Sequence, residues 1–244
     1  MALVLGTGAS TGLGLATASE LIDHGHDVVL HVRNPDRLRG LDLAERARGV
    51  VTGDLAHPKQ TADVAEQASG FGRFDAVIHN AGTMDGADTI AVNALAPYLL
   101  TVSMPLPGRA IFLSSSMHRS GRPDLAPILA GHGGSYADSK LLVTTLALAL
   151  AARYPRLLAH AVDPGWVPTQ MGGPAATDDL AEGHRTQVWL ATAPEAGIAP
   201  RTGGYWHHRT ERRPHPAALD PAFQQQLIEA LATITGLALP EPDQ

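Results

Sequence analysis

Short apolar runs alternate with helix-length segments along most of the 244-residue sequence, and this alternation constrains the fold more than any other feature. The predicted strands are Ala2–Gly6, His26–Val32, Val50–Gly53, Asp75–His79, Arg109–Leu113, Leu157–Val162 and Gly204–Trp206. The predicted helices are Leu13–His24, Pro35–Ala47, Lys59–Ser69, Thr89–Val102, Ser135–Tyr154 and Asp178–Ala191. Because strands that are apolar throughout and are each followed by a helix form parallel sheets buried on both faces, the pattern predicts a doubly wound α/β fold. We expect about seven strands, helices on both faces and a ligand site at the carboxyl ends of the strands.

No repeat, low-complexity tract or linker divides the chain, so we expect residues 1–244 to form one domain. Three segments without helix or strand periodicity are Met117–Gly134, Pro168–Thr177 and His207–Pro221. Loops of this length are often lids or binding loops, so we expect the substrate pocket to be built from these segments.

Composition excludes several classes of function. The chain has no cysteine, which removes disulfides, thiolate metal sites and a cysteine nucleophile. A formal net charge of −6 gives no global attraction to nucleic acid or to anionic lipid. The first residues show no basic segment ahead of an apolar one, and no run of 18 apolar residues exists, so we expect no signal peptide and no membrane partner. A cytoplasmic location is the resulting expectation.

A glycine-rich turn separates the first predicted strand from the first predicted helix. It reads Gly6-Thr7-Gly8-Ala9-Ser10-Thr11-Gly12-Leu13-Gly14. Glycines let the backbone bend sharply and approach a pyrophosphate, and the N-terminus of the following helix favours the anion. The glycine spacing differs from the G-x-G-x-x-G of many dinucleotide folds, so a merely flexible turn is the alternative. The position of the turn favours a Rossmann-type domain in which residues 1–115 mainly bind a dinucleotide.

The end of the second predicted strand bears on the choice of dinucleotide. Enzymes that use NAD usually place an acidic residue there to hold the ribose 2′-hydroxyl, whereas this chain reads Leu30-His31-Val32-Arg33-Asn34. A guanidinium can pair with a 2′-phosphate, so Arg33 favours NADP(H) over NAD(H). An ordinary surface arginine is the alternative interpretation.

From the glycine turn onward the chain resembles the short-chain dehydrogenase/reductase family, over Leu3 to about Thr169. The resemblance is carried by Thr7 to Gly14, Asp54-Leu55, His79-Asn80-Ala81-Gly82, Asn93, Ser114-Ser115-Ser116, Tyr136-Ala-Asp-Ser-Lys140, and Pro164-Gly165 followed by Thr169. The chain departs from the family pattern at His79, where an asparagine is usual. Lys59 and Lys140 are the only lysines, so a Y-x-x-x-K match by chance is improbable.

The resemblance implies a set of cofactor-binding residues, to which Arg33 is added from its chemistry. The expected cofactor-binding residues are Gly8, Ser10, Thr11, Gly12, Leu13, Gly14, Arg33, Asn34, Asp54, Leu55, Asn80, Ala81, Gly82, Tyr136, Lys140, Pro164, Gly165, Val167 and Thr169. The remaining residues, 116–244, would then supply the catalytic helix, the substrate loops and the C-terminal segment.

The resemblance also implies four catalytic residues: Asn93, Ser115, Tyr136 and Lys140. Tyr136 and Lys140 share one face of a helix. A nearby ammonium, together with an oxidised nicotinamide ring, favours the phenolate, so Tyr136 can exchange a proton with a carbonyl or alcohol oxygen. Ser115 would hold that oxygen, with Ser114 as the next choice. Asn93 would link Lys140 to solvent, or else only brace its helix.

Ser115 and Tyr136 are separated by 21 positions, a longer connection than is typical of the family. A similar segment, with a histidine shortly after the serines, occurs in the retinol-dehydrogenase-like branch of bacterial type. His118 is interpreted as a loop histidine rather than a catalyst. Relatives commonly pair through helices corresponding to Thr89–Val102 and Ser135–Tyr154, so a homodimer is expected, with a monomer as the alternative.

The histidines and arginines between His207 and His215 have side chains that could bind a metal or an anion. However, adjacent histidines point to opposite sides of a strand, so we expect no metal site here. The leading hypothesis is therefore an NADP(H)-dependent carbonyl reductase or alcohol dehydrogenase acting on a small-molecule ketone, aldehyde or alcohol. An epimerase or dehydratase that oxidises transiently, and a non-catalytic NADP(H) sensor, are the alternatives.

Overall fold

The computed structural model describes residues 1–84 and 86–242 and contains an eight-stranded sheet. The strands are β1 (Leu3–Gly6), β2 (Asp27–Val32), β3 (Gly49–Thr52), β4 (Ala76–His79), β5 (Arg109–Leu113), β6 (Leu158–Asp163), β7 (Tyr205–His207) and β8 (Thr210–Arg212). Their order is β3-β2-β1-β4-β5-β6-β7-β8, in which only β8 runs antiparallel to its neighbour. The reversal of strand order beside β1 places the carboxyl ends of β1 and β4 at a switch point. The predicted Rossmann-type fold is confirmed.

Helices cover both faces of the sheet. The α-helices are α1 (Gly12–Asp23), α2 (Leu43–Arg46), α3 (Pro58–Ser69), α4 (Ala96–Ser103), α5 (Ala126–Leu129), α6 (Tyr136–Arg153), α7 (Leu180–Thr192) and α8 (Pro221–Thr235). A π-helical turn, Ala91–Leu95, leads directly into α4. None of the helices in residues 1–84 and 86–242 has the length and apolarity needed to cross a membrane.

Alternation along the strands divides the core into two layers. On β1, Val4 belongs to the cluster that includes α1 and α7, whereas Leu5 belongs to the cluster that includes α3 and α4. Successive strand residues point to opposite faces, so an uninterrupted apolar strand supplies both layers. A third cluster packs α6 between the sheet and α8, where Leu146 and Leu227 are fully buried.

Most predicted elements agree with the structure to within one or two residues, but three expectations need correction. The helix predicted over Pro35–Ala47 is instead a 3₁₀ turn, Pro35–Leu38, and the short α2, since Gly40 between them has a φ of +76°. The irregular segment Met117–Gly134 contains most of a 3₁₀ turn, Ser116–Ser120, and all of α5.

The third correction concerns the C-terminal segment, where β8 and α8 were not predicted. β7 and β8 form a two-residue hairpin in which His207 pairs with Thr210. His208 and Arg209 take φ values of +46° and +58°, as a type I′ turn requires. Because such turns usually contain Asn or Gly, the residues at this hairpin gave no turn signal.

Candidate active site

A cavity of about 650 Å³ opens at the carboxyl ends of the parallel strands. The predicted site residues that line it are Gly8, Ser10, Thr11, Gly12, Leu13, Gly14, Arg33, Asp54, Leu55, Asn80, Ala81, Gly82, Tyr136, Lys140, Pro164 and Thr169. Five predicted site residues do not line it: Asn34, Asn93, Ser115, Gly165 and Val167. The structure therefore brings the glycine turn and the Tyr136–Lys140 pair to one continuous space.

Residues that follow β4 hold the glycine turn in place through hydrogen bonds. The Thr7 hydroxyl accepts hydrogen bonds from the backbone N–H groups of Asn80 and Ala81, both at 3.0 Å. The Asn80 side-chain amide donates to the carbonyl oxygens of Thr7 at 3.0 Å and Gly8 at 3.3 Å. A Cβ atom on Gly14 would lie 2.2 Å from the Gly8 oxygen, so only glycine fits there. The cavity includes the space in front of the N-terminus of α1, which is where a pyrophosphate would bind.

His31 holds the same turn from β2, a contact that no sequence pattern predicts. Its Nδ1 accepts a hydrogen bond from the Gly8 backbone N–H at 3.2 Å, and its Nε2 lies 2.9 Å from the Gly53 oxygen. These two bonds require the neutral ring with the proton on Nε2. Burial lowers the pKa of His31, which favours that neutral state.

Two guanidinium groups lie at the far end of the cavity. Arg33 is exposed, and its Nε lies 3.7 Å from a carboxylate oxygen of Asp54. Arg37, which was not predicted, donates from Nε to the Ser10 hydroxyl at 3.5 Å and also lines the cavity. Asn34 does not line the cavity, and its backbone carbonyl accepts a hydrogen bond from the Arg37 backbone N–H at 3.2 Å. This end of the cavity thus presents two cations beside one carboxylate.

Tyr136 and Lys140 lie in the first two turns of α6. Ser135 and Asp138 form a reciprocal capping box that fixes the start of this helix. The Lys140 ammonium lies 5.4 Å from the centre of the Tyr136 ring and donates to the Leu113 carbonyl oxygen at 2.8 Å. Burial lowers the pKa of Lys140 to about 8, while the Asp163 carboxylate opposes that shift.

The three serines after β5 have different surroundings. Ser114 is buried, and its hydroxyl lies 2.6 Å from the Thr144 hydroxyl. The Ser115 hydroxyl instead lies near the Tyr136 side chain and acts on its pKa. Burial raises the pKa of Tyr136 to about 12, and the Ser115 contact lowers it only in part. The protein groups alone therefore do not produce the lowered phenol pKa that the Tyr–Lys spacing suggested.

Asn93 lies in the π-helical turn, a local irregularity that is frequent at functional sites. Its side chain makes two 2.8 Å hydrogen bonds with the backbone of Thr83 and donates to the Ser139 hydroxyl at 2.9 Å. A Cβ atom on Gly82 would lie 3.3 Å from the Asn93 oxygen and 3.6 Å from the Lys140 nitrogen. Asn93 thus joins the end of β4 to α6, close to Lys140.

The segment after β6 closes the side of the cavity opposite β4. Gly165 has a φ of +83°, and its backbone N–H donates to the Asp163 carboxylate at 3.1 Å. Thr169 lies beside Gly12, where an added Cβ would come within 3.1 Å of the Thr169 methyl carbon. Val167 is buried and would lie 2.6 Å from a Cβ on Gly183 of α7, so it supports this wall from behind.

The expectation that His207 and His208, at the end of β7, point apart is wrong. His207 belongs to the strand, but His208 leaves it with a positive φ, and the two rings stack with centroids 3.9 Å apart. Within residues 1–84 and 86–242, no group of three potential metal-binding side chains comes together.

Comparison with known proteins assigns the family. A family model described as short chain dehydrogenase matches residues 2–180. A short-chain dehydrogenase of Penicillium rubens, chyC, is 34% identical, over 98% of this chain and 100% of the relative. The Streptomyces protein named as daunorubicin C-13 ketoreductase DnrU is 31% identical, over 96% and 92% of the two chains. A short-chain dehydrogenase of Shigella flexneri, crystallised with NADP, superposes with a TM-score of 0.69 at 25% identity, covering 86% of this chain and 97% of that one. The chain belongs to the short-chain dehydrogenase/reductase family of oxidoreductases.

Proposed function

We propose that the protein is an NADP(H)-dependent oxidoreductase that interconverts a ketone or aldehyde and the corresponding alcohol. The observation that carries the proposal is that Tyr136 and Lys140 line the same cavity as the glycine turn, with the Lys140 ammonium 5.4 Å from the centre of the Tyr136 ring. The residues fit a dinucleotide, since Gly8 and Gly14 line the cavity with bare backbone and are packed too closely against Ala81 and Gly8, respectively, to carry a Cβ. The ketoreductase name of one relative agrees with this reaction class.

In the reductive direction, Tyr136 donates its phenolic proton to the carbonyl oxygen of the substrate. Ser115 hydrogen-bonds the same oxygen and holds it in line with the phenol. Lys140 places a positive charge next to the phenolate that results, and Asn93 anchors the backbone beside it. NADPH, when bound, would supply the hydride for the carbonyl carbon. In the oxidative direction the proton returns to Tyr136.

The choice of NADP(H) rests on the charges at the end of β2. Arg33 and Arg37 both line the cavity, and neither Val32 nor Asn34 supplies an acidic group for a ribose hydroxyl. Guanidinium groups bind phosphate oxygens in a bidentate manner, which suits a 2′-phosphate. The NADP in the Shigella relative agrees with this preference.

The substrate side of the cavity is partly apolar. Met84 and Met171 line it together with Tyr136, and their side chains are 38% and 45% exposed. Methionine is flexible and adapts to apolar ligands of different shape. We therefore expect carbonyl compounds with an apolar body to bind better than short acidic ones. The homodimer and the cytoplasmic location stay predictions.

The first experiment is NADPH consumption by the purified protein against a panel of aldehydes, ketones, diketones and quinones, with NADH in parallel. We expect turnover with NADPH and little with NADH. Tyr136→Phe should lower kcat by at least about 100-fold because the proton donor is lost, while NADPH binding is retained. NADPH binding without turnover of any compound would favour the sensor alternative, and unchanged activity of Tyr136→Phe would refute the proposed mechanism.

A further inference from the structure

His118 joins the loop that carries Ser115 to the C-terminal segment. Its ring is fully buried, with Nδ1 2.7 Å from the Ser115 carbonyl oxygen. Nε2 accepts a hydrogen bond at 3.0 Å from the backbone N–H of His215, which is 97 residues further along the chain. The ring also packs against Tyr205, with the ring centroids 4.6 Å apart.

These two contacts fix the protonation state of the His118 ring. A carbonyl oxygen only accepts hydrogen bonds, so Nδ1 must carry the proton. A backbone N–H only donates, so Nε2 must keep its lone pair. Protonation of Nε2 would set two N–H groups against each other. Burial lowers the pKa of His118, and the Arg119 and His215 charges act in the same direction, whereas the Ser115 carbonyl and the Asp163 carboxylate oppose it.

Both the carbonyl oxygen and the hydroxyl oxygen of Ser115 accept hydrogen bonds. Its carbonyl oxygen accepts from the backbone N–H of His118 at 3.1 Å as well as from the His118 ring. Its hydroxyl oxygen accepts from the Met117 backbone N–H at 3.2 Å. The local turn supplies both backbone contacts, whereas the His118 ring connects this turn to the distant backbone of His215.

We propose that His118 is a positioning residue, which in its neutral Nδ1–H form holds the Ser115 backbone so that the hydroxyl meets Tyr136 and the substrate oxygen. The proposal rests on the proposed function, in which Ser115 orients the carbonyl group. His118 does not touch the substrate in this role. It acts through the position of Ser115, and its second hydrogen bond ties that position to the C-terminal segment at His215.

Two substitutions separate the two hydrogen bonds. His118→Asn places an amide nitrogen near the Nδ1 position, where it can donate to the Ser115 carbonyl but does not reach His215. His118→Gln places an amide oxygen near the Nε2 position, where it can accept from His215, and leaves the Ser115 carbonyl without its side-chain donor. We expect His118→Gln to lower kcat about 10-fold with an unchanged KM for NADPH, because a small displacement of an orienting group slows the chemical step. His118→Asn should keep kcat within about twofold and lower the melting temperature.

A matched control tests whether any buried histidine has this effect. His160 lies on β6, the strand between β5 and β7, and does not line the cavity. Its ring is hydrogen-bonded to the backbone of Arg201 and Gly204. We expect His160→Gln to lower the melting temperature without lowering kcat at a temperature where the variant is folded. Equal kcat values in the two His118 variants, or an equal loss of kcat in His160→Gln, would overturn the proposal.

A measurement that does not depend on turnover tests the protonation state directly. Long-range ¹H–¹⁵N spectra at neutral pH should show an Nδ1–H ring for His118, assigned by its disappearance in His118→Asn. An Nε2–H or doubly protonated ring would overturn the inference. Ser115→Ala separates this inference from the proposed function: unchanged kcat in Ser115→Ala would refute the role of the serine, whatever the state of the His118 ring. If both hold, His118→Gln should have no further effect on kcat in the Ser115→Ala background.

Discussion

Gly14 lies against the carbonyl group of Gly8, so close that a Cβ atom would come within 2.2 Å of the oxygen and 2.4 Å of the Asn80 amide nitrogen. The backbone at Gly8 cannot retreat, because Asn80 and His31 hold it from two neighbouring strands. This contact brings the first turn of α1 next to the end of β1. The space in front of it is the part of the cavity that we assign to the pyrophosphate.

Gly14→Ala should therefore weaken NADPH binding by at least about 10-fold, since either the turn or the start of α1 must move to admit the methyl group. Cofactor fluorescence titration measures the dissociation constant. The matched control is Gly197→Ala, where an added Cβ meets nothing within 4 Å and the φ is not positive. Equal affinity of Gly14→Ala and the natural protein for NADPH would show that the turn does not contact the cofactor.

Arg33 and Arg37 should determine the preference between the two nicotinamide cofactors. Replacing both with alanine removes the two cations at this end of the cavity, so we expect KM for NADPH to rise at least about 10-fold. KM for NADH should change little, because NADH has no 2′-phosphate. Steady-state kinetics with both cofactors checks this. Arg39→Ala is the control: Arg39 is exposed, pairs with Asp36 at 2.9 Å and does not line the cavity. A parallel rise of both KM values would contradict the assignment.

The sequence was most informative where function depends on spacing within one element. Tyr136 and Lys140 are four residues apart, so the helix alone places them on one face, as the structure shows. Arg33 directly follows β2, so its position in the chain alone places it at the carboxyl end of that strand, where the cavity lies.

Contacts between distant segments could not be read from the sequence. Arg37 reaches Ser10, His31 reaches Gly8 and Gly53, and His118 reaches His215 only because the sheet order brings separate loops together. A lone histidine or arginine carries no local signal of such a partner.

Helix α8 is a different case, because its signals were present in the sequence. Asp220 and Pro221 are typical of a helix start, and Gly236 of a helix end, as the structure confirms with a positive φ at Gly236. Phe223, Leu227 and Leu231 recur at helical spacing and are buried. The sequence around α8 therefore carries enough local signal to predict this helix.

Two buried histidines should make the folded state sensitive to acid. Burial lowers the pKa of His79 to about 3 and that of His160 to about 4, against an ordinary value of 6.5. Because the folded protein holds both rings neutral, their stabilisation is fully present above pH 6.5 and is lost as the pH falls toward 4. Each histidine should contribute a slope of about 1.4 kcal/mol per pH unit in that range.

Urea unfolding between pH 7.5 and 4.5 measures this slope. His160→Gln should lower the free energy of unfolding at neutral pH and reduce its pH dependence by about one proton. His132→Gln is the control, since His132 is exposed. A slope that His160→Gln leaves unchanged would show that the His160 ring is not the group that titrates.

Asp163 is the carboxylate that bears on the pH range of the reaction. It is buried at the end of β6, accepts a hydrogen bond from the Tyr205 hydroxyl at 3.1 Å, and acts electrostatically on Tyr136 and Lys140. Burial, and to a smaller extent the Asp163 charge, raise the pKa of Tyr136. The same charge opposes the fall in the pKa of Lys140.

Asp163→Asn should therefore lower the pKa of both Tyr136 and Lys140. Reduction of a carbonyl requires the protonated phenol, so activity falls as the pH rises through the Tyr136 pKa. The alkaline limb of the kcat/KM profile should move to lower pH in the variant, by about half a unit to one unit. Asp75→Asn is the control, because Asp75 lies at the opposite end of the sheet and bonds the Leu3 backbone. An alkaline limb that stays in place, or moves to higher pH, would show that the Asp163 charge does not reach the phenol.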